Sequence, residues 1–209
     1  MDALELGLSA DTDMADGVSE LAPFTFLSNS DAHSLPKIAR EYNALKLESV
    51  NFSEVRQALL RQSERKVVAN YGLLPALGKY HRTYCLGCGS HWAANVPACS
   101  LCGSTKKVMG VHERLQEVQD IPSAVHPSHR PPYIHQVPLE FIPGLGPKLR
   151  ARLIDAFGNE MTVLHRTSVV ELAQVVGETL AMRVEEARSG RVRVSSGGGG
   201  IYGKLQFES

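Results

Sequence analysis

The 209-residue chain contains no run of eighteen apolar residues, which excludes a membrane-spanning helix, and it opens without a signal-like leader. A soluble protein of the cytoplasm is the expectation. Its four cysteines all lie between positions 85 and 102, so a disulfide framework tying distant segments together is excluded. Tryptophan occurs once, and the formal net charge is zero. That zero conceals an asymmetry: residues 1–60 hold ten acids against four bases, whereas residues 61–138 hold nine bases against four acids. An acidic segment beside a basic one suits a metal-using site whose polyanionic substrate is held elsewhere on the chain, and it equally suits ordinary surface salt chemistry.

What is present is concentrated in Cys85-Leu-Gly-Cys88 and Cys99-Ser-Leu-Cys102, two C-x-x-C knuckles separated by ten residues. That spacing aims four thiolates at one point, and Gly87, Gly89 and Gly103 supply the permissive backbone such turns need. A closed, tetrahedral structural zinc site with no open position for catalysis is the reading. Its rivals are a pair of disulfides and a thioredoxin-like C-x-x-C, which should open a long helix where residues 92–97 read as loop. His81 and His91 are expected at the surface or behind the ligands. Zinc binding is worth on the order of 10–16 kcal/mol in small peptide sites, so residues from about 79 to 107 are expected to fold only with metal.

In the first segment, residues 3–8, 23–27 and 44–48 read as strands, and Asp11-Thr12-Asp13 as a turn into a short helix. Helices are expected over residues 37–42, after Pro36, and beyond the N-cap Ser53, along a stripe of Val55, Leu59 and Leu60. Asp31 and His33 follow the second strand two residues apart, so both can face one side of the strand end, where α/β barrels place metal or catalytic groups. A loop aspartate beside a satisfied histidine gives the same pattern.

Residues 67–78 read as a linker with strand character, and 108–118 as a strand or a strand and a bend. Lys79, Arg82, Lys106 and Lys107 bracket the knuckles. With Trp92 they suit phosphate contact and base stacking, or else a ribbon that props one domain against another. Five prolines between positions 122 and 138 forbid regular structure, leaving an extended connector in which His126, His129 and His135 are too irregularly spaced for a second metal site.

Pro143-Gly144-Leu145-Gly146-Pro147-Lys148, followed by a helix with Leu149, Leu153, Ile154 and Phe157 on one face, is similar to a helix-hairpin-helix motif. Gly144 and Gly146 let the backbone approach a phosphate, the next helix offers its first N–H groups, and Lys148, Arg150 and Arg152 add charge. Ser168, with Glu171 in the capping-box position, opens an imperfect repeat that turns at Gly177, where Glu178 replaces a hoped-for phosphate contact. Sequence-independent DNA-backbone binding is expected, chiefly from the first hairpin; a purely structural helix pair is the alternative. The glycine-rich tail around residues 195–204 reads as a flexible linker.

Thr25-Phe-Leu-Ser-Asn-Ser-Asp31-Ala-His33-Ser34 resembles the last metal motif of the polymerase and histidinol phosphatase (PHP) superfamily, and residues 51–58 are similar to the segment that closes that barrel. With the knuckles and the hairpin, the chain resembles the endonuclease Q family from end to end, over the C-terminal half of a full-length member. The family's tail has a Gly-x-Tyr-Gly-Lys segment like residues 200–204, which implies, as the alternative to a flexible linker, a tail that orders against DNA or the barrel. The resemblance implies a multidomain α/β, zinc-ribbon and all-α fold: part of a PHP-type (β/α) barrel over 1–66, a four-cysteine zinc module over 67–110, a proline-rich connector over 111–138, a tandem helix-hairpin-helix domain over 139–190 and a glycine-rich tail over 191–209.

It further implies a DNA-repair hydrolase that nicks on the 5′ side of deaminated bases, with Asp31 and His33 as ligands of a divalent cluster of Zn, Mn or Mg. The H-x-H that opens the family's metal site is absent from these residues. The cluster is therefore expected to be incomplete, cleavage by this chain alone weak or nil, and the remaining ligands supplied by a companion chain or a missing N-terminal half. A non-catalytic zinc-containing DNA-binding scaffold and a PHP-type phosphoesterase acting on small phosphate esters are the alternatives.

Overall fold

Leu4 and Phe26 sit opposite one another in a parallel pair, β1 (Ala3–Glu5) with β2 (Thr25–Leu27), at the start of the chain. The computed structural model describes residues 2–93 and 96–207 and divides into two units, Met1–Ile134 with Ser196–Gly203 and His135–Ser195 with Lys204–Ser209. This division is coarser than the five segments expected from the sequence. In the first unit α1 (Thr12–Ala15) lies between β1 and β2, its N-cap Asp11 accepting a hydrogen bond from the Met14 N–H at 2.9 Å. Leu6, Ala15 and Phe26 form the buried centre here, with Leu4, Leu21, Phe24 and Tyr133 packed against it.

The helix expected over residues 37–42 does not form. Leu35–Lys37 makes a single 3-10 turn, Ala39 takes a left-handed φ of 59°, and β3 (Tyr42–Lys46) begins where the helix should end. The stretch offers a helix only one i, i+4 apolar pair, Ile38 and Tyr42, and Tyr42 as a strand residue instead stacks on Tyr71 with ring centroids 4.4 Å apart. α2 (Phe52–Leu60) follows, but Asn51 rather than Ser53 is its N-cap, accepting from the Glu54 N–H at 3.0 Å. Either residue type can cap, and the chain becomes helical at Phe52, one residue before Ser53.

β4 (Lys66–Leu73) is no linker: it pairs antiparallel with β3 in the centre of a three-stranded sheet and buries Val67, Ala69 and Leu73. β5 (Tyr84–Cys85) and β6 (Lys107–Val108) form an antiparallel pair flanking the knuckles. Where a strand was expected, α3 (Val111–Val118) forms, because Val111, Leu115 and Val118 recur at helical spacing and Glu113 reaches back to accept from the Thr83 N–H at 2.8 Å. β7 (Tyr133–Gln136) is the third strand of the central sheet. The sheets of the described residues are separate, and none closes into a barrel.

The proline-rich connector lacks regular structure as expected, yet it is tied into the core. Arg130 forks onto Asp16 at 2.7 Å, donates to the Phe24 carbonyl at 2.6 Å, and lies 3.3 Å from the centroid of the Phe26 ring. The glycine-rich stretch is ordered rather than a flexible linker, for Ser196–Gly203 docks on residues 76–82 of its own unit. Gly197 donates to Ala76 at 2.8 Å, Gly200 to Lys79 at 3.0 Å and Gly203 to Leu77 at 3.0 Å, while the Arg82 N–H donates to Gly197 at 2.9 Å. A Cβ on Gly197 would meet the Gly78 carbonyl at 2.3 Å, so glycine serves close approach there rather than flexibility.

The second unit is helical: α4 (Pro147–Phe157), α5 (Glu160–His165), α6 (Val169–Val176) and α7 (Glu178–Arg188) surround Leu153, Val163, Leu172 and Val184, each fully buried. Ser168 and Glu171 form the expected capping box. The hairpin β8 (Arg193–Ser195) and β9 (Lys204–Gln206) completes the unit.

Candidate metal centre and nucleic-acid interface

The two knuckles fold alike. Gly89 donates to the Cys85 carbonyl at 3.0 Å and Gly103 to the Cys99 carbonyl at 2.9 Å; Cys85 donates to Ser90 at 2.9 Å and Cys99 to Ser104 at 2.8 Å. Gly89 and Gly103 take φ of 71° and 72°, the left-handed conformation glycine adopts without strain. Gly87 serves differently: a Cβ there would lie 2.8 Å from the Ser104 Cβ and 3.1 Å from the Cys102 Sγ.

The result is that the four Sγ atoms converge within 4.8 Å of one another, with Cys85–Cys102 and Cys88–Cys99 both at 3.6 Å. These are not bonded sulfurs, which removes the disulfide rival. A tetrahedron with zinc–sulfur bonds of about 2.3 Å has edges of about 3.8 Å, so the donor set fits a four-coordinate soft ion. The Ser90 hydroxyl holds the Cys99 thiol down at about 6, so one thiol of the set ionises readily at neutral pH. Neighbouring thiolates so close call for a shared cation.

Trp92 is buried with Cys85 and Cys99, its indole N–H donating to the Val96 carbonyl at 3.1 Å and Lys107 lying 5.3 Å from its ring. It is thereby committed to the module's core and withdrawn from base stacking. His81 also departs from the surface position expected: it is buried, its Nδ1 3.1 Å from the Ser9 carbonyl, and burial lowers its pKa. His91 is exposed and packs edge-on to Tyr84.

Asp31 and His33 lie in the wall of a cleft of about 910 Å³ in the first unit, shared with Glu5, Ser34, Lys37, Arg40, Lys79 and Tyr202. Both are solvent-exposed, with His33 Nε2 3.5 Å from Asp31 Oδ1, and Asp31 has a left-handed φ of 43°. Among the described residues, the one group of three or more convergent histidine, cysteine or acidic side chains is the cysteine set. The cleft thus presents a pair of potential ligands and a cationic wall. Sequence reasoning missed Arg40 and Tyr202 here; for Tyr202 the Gly-x-Tyr-Gly-Lys segment was the available signal.

In the second unit Gly144 has φ of 88°, and a Cβ on it would lie 3.2 Å from Leu180 Cδ2. Arg183, for which the sequence offered no signal, donates to the Pro143 carbonyl at 2.9 Å and so braces this turn. Buried Leu145 anchors it from within, while Gly146, the N-cap of α4, is exposed with open space around it. The first N–H groups of α4 have no intrahelical partner, which suits an anion. Lys148 and Arg152 are exposed, whereas Arg150 turns back to Glu140 at 3.9 Å. Gly177, between α6 and α7, has φ of 84° and is followed at once by Glu178.

Over its whole length the chain is similar to lesion-specific DNA endonucleases. It covers 56% of endonuclease Q from Pyrococcus furiosus at 36% identity and a TM-score of 0.85. It likewise covers 56% of an endonuclease Q solved in complex with a 27-mer duplex carrying an abasic lesion at the active site, at 34% identity and a TM-score of 0.88. Two curated relatives are uncharacterised: YqxK of Bacillus subtilis, 50% identical over 206 residues, and MJ0043 of Methanocaldococcus jannaschii, 38% identical over 232. The chain spans 53% of the first and 28% of the second. No family model matches. The resemblance read from the sequence is borne out: the chain is similar in sequence and fold to just over half of an endonuclease Q, which relates it to DNA-repair endonucleases.

Proposed function

We propose that this chain is the DNA-gripping, C-terminal half of a metal-dependent repair endonuclease that nicks DNA on the 5′ side of deaminated bases. The observation that carries the reading is the end-to-end likeness, at a TM-score of 0.88, to endonuclease Q bound to a lesion-bearing duplex. Cys85, Cys88, Cys99 and Cys102 would hold a structural zinc, which supplies a rigid cross-link and no open coordination position. The turn Pro143–Gly146 with α4 acts as a helix-hairpin-helix: Gly144 and Gly146 admit a phosphate, the α4 N–H groups bond it, and Lys148 and Arg152 add charge. Gly177 makes the weaker second hairpin, since Glu178 repels the backbone. Arg150, paired with Glu140, contributes less than its neighbours.

In the first unit Asp31 and His33 serve as two ligands of a divalent cluster on the rim of a partial PHP-type barrel. In such a cluster bound ions activate water and stabilise the phosphoryl oxygens. Asp31 and His33 alone are too few to hold ions in the required pair, so the remaining ligands come from residues outside this chain. Nicking assays on a uracil-containing duplex with Zn, Mn or Mg test this: binding without cleavage supports the reading, and robust metal-dependent nicking by this chain alone contradicts it. The scaffold alternative is separated by adding the missing portion of the relative and asking whether cleavage appears.

A further inference from the structure

We propose that Lys79 and Arg40, gathered around Tyr202 of the docked glycine-rich loop, form a phosphate-binding subsite in the same cleft as Asp31 and His33, engaging a phosphodiester of the strand presented to that pair. The inference rests on the nuclease reading and deepens it by naming the residues that seat the strand. Tyr202 is at the end of the loop whose backbone is fixed on Ala76, Leu77 and Lys79 by three hydrogen bonds of 2.8 to 3.0 Å. Three of the loop's glycines are required by contact: a Cβ on Gly199 would meet the Tyr84 ring at 2.5 Å, one on Gly198 the Arg82 carbonyl at 2.7 Å and one on Gly197 the Gly78 carbonyl, while Gly200 takes φ of 89°. So dense a run of glycine serves to set Tyr202 in the cleft.

There the tyrosine organises two cations. Its hydroxyl accepts from Arg40 Nη1 at 3.2 Å, and Lys79 Nζ stands 4.7 Å from its ring centroid. Arg40 is held from behind by Glu41 at 2.8 Å, both side chains being almost fully buried, so its guanidinium is fixed in place and partly neutralised. Lys79 makes a cation–π contact with Tyr202 and, among the described residues, no ion pair. Its charge is what an incoming anion would meet. Lys37 adds to the positive side of the wall, Glu5 and Asp31 to the negative. A cleft of about 910 Å³ accommodates a nucleotide and its phosphates. A phosphodiester seated on Lys79 and Arg40 would lie in the cleft whose wall also carries Asp31 and His33.

The test uses the full metal-loaded chain and three variants, Lys79→Met, Tyr202→Phe and Gly197→Val. Two readouts are taken: inorganic phosphate titrated by calorimetry, and affinity for a 27-mer duplex between about 50 and 200 mM salt. Each lost phosphate contact flattens the salt dependence, so the affinity ratio across that range should shrink about three- to fourfold in Lys79→Met. Gly197→Val, which unseats the loop, should do the same, and Tyr202→Phe should weaken phosphate without changing the fold. If the wild-type chain binds phosphate through Lys79 yet no duplex, the subsite stands and the DNA reading falls. If the duplex binds and Lys79→Met and Gly197→Val match wild type in both readouts, the subsite is overturned and the DNA reading survives.

Discussion

Arg130 and Asp16, separated by 114 positions, meet in a buried ion pair at 2.7 Å with each side chain 1% exposed. The pair ties the proline-rich segment to α1, and His126 adds a bond to the same carboxylate at 2.8 Å. Removing one partner leaves the other charge buried and uncompensated. Asp16→Ala should therefore destabilise the first unit by about 3–5 kcal/mol, read as a lower unfolding midpoint in denaturant. A change within about 0.5 kcal/mol, as for an ordinary surface substitution, would contradict the role given to the pair.

Cys85→Ser should lose stoichiometric zinc and the ordered knuckles, and a strong chelator should do the same to the wild-type chain. The energy at stake, about 10–16 kcal/mol in small peptide sites, is comparable with the stability of a whole domain. Atomic absorption gives the stoichiometry, and amide exchange over residues 84–108 gives the order. One zinc per chain is expected; none would remove the metal reading.

These two cases show how unevenly the sequence speaks. The cysteine site was legible because its ligands are local, repeated and chemically unambiguous. Asp31, His33 and the glycine turn were legible as motifs, and the cap at Ser168 as a capping box. Arg130, His81 and Trp92 were not, since a charge in a proline-rich stretch, a histidine and a lone aromatic carry no local sign of what they will be buried against. The tail left two readings open for a related reason: glycine permits flexibility and close packing alike, and Gly78 decides between them only in three dimensions. The absent helix at residues 37–42 lost to Tyr42–Tyr71 stacking, a pairing between strands that no window of sequence contains.

Gly144→Val should weaken both stability and duplex binding. A branched residue forced to φ of 88° beside Leu180 and Arg183 costs about 1–2 kcal/mol of backbone strain, and its side chain blocks the approach of a phosphate. Arg183→Met, which frees the Pro143 carbonyl, should reduce binding without a comparable loss of stability. Anisotropy titrations paired with thermal melts separate the two.

Stability should fall as the solution is acidified below neutrality. Burial lowers the pKa of His81, of His129 and of His165, with neighbouring arginines adding to it at each: Arg82, Arg61 with Arg130, and Arg188 with Arg166. Above the ordinary histidine value of about 6.5 both folded and unfolded chains hold these rings neutral, and stability is full. As the pH drops through that value the unfolded chain takes up protons that the folded chain refuses, so stability declines, levelling off below the folded values. Thermal midpoints should be flat from about pH 8 to 7 and drop towards about pH 5; a flat profile throughout would contradict the buried, neutral assignment.

The central proposal is that this chain grips DNA and does not cut it unaided. One salt-dependent binding titration, run on the zinc-loaded chain with a lesion-bearing 27-mer duplex and followed by a gel of the same samples, tests it most directly. The account predicts affinity falling steeply with salt, in proportion to the phosphates contacted, and intact strands on the gel. Salt-insensitive or absent binding, or strands nicked by the chain unaided, would contradict it.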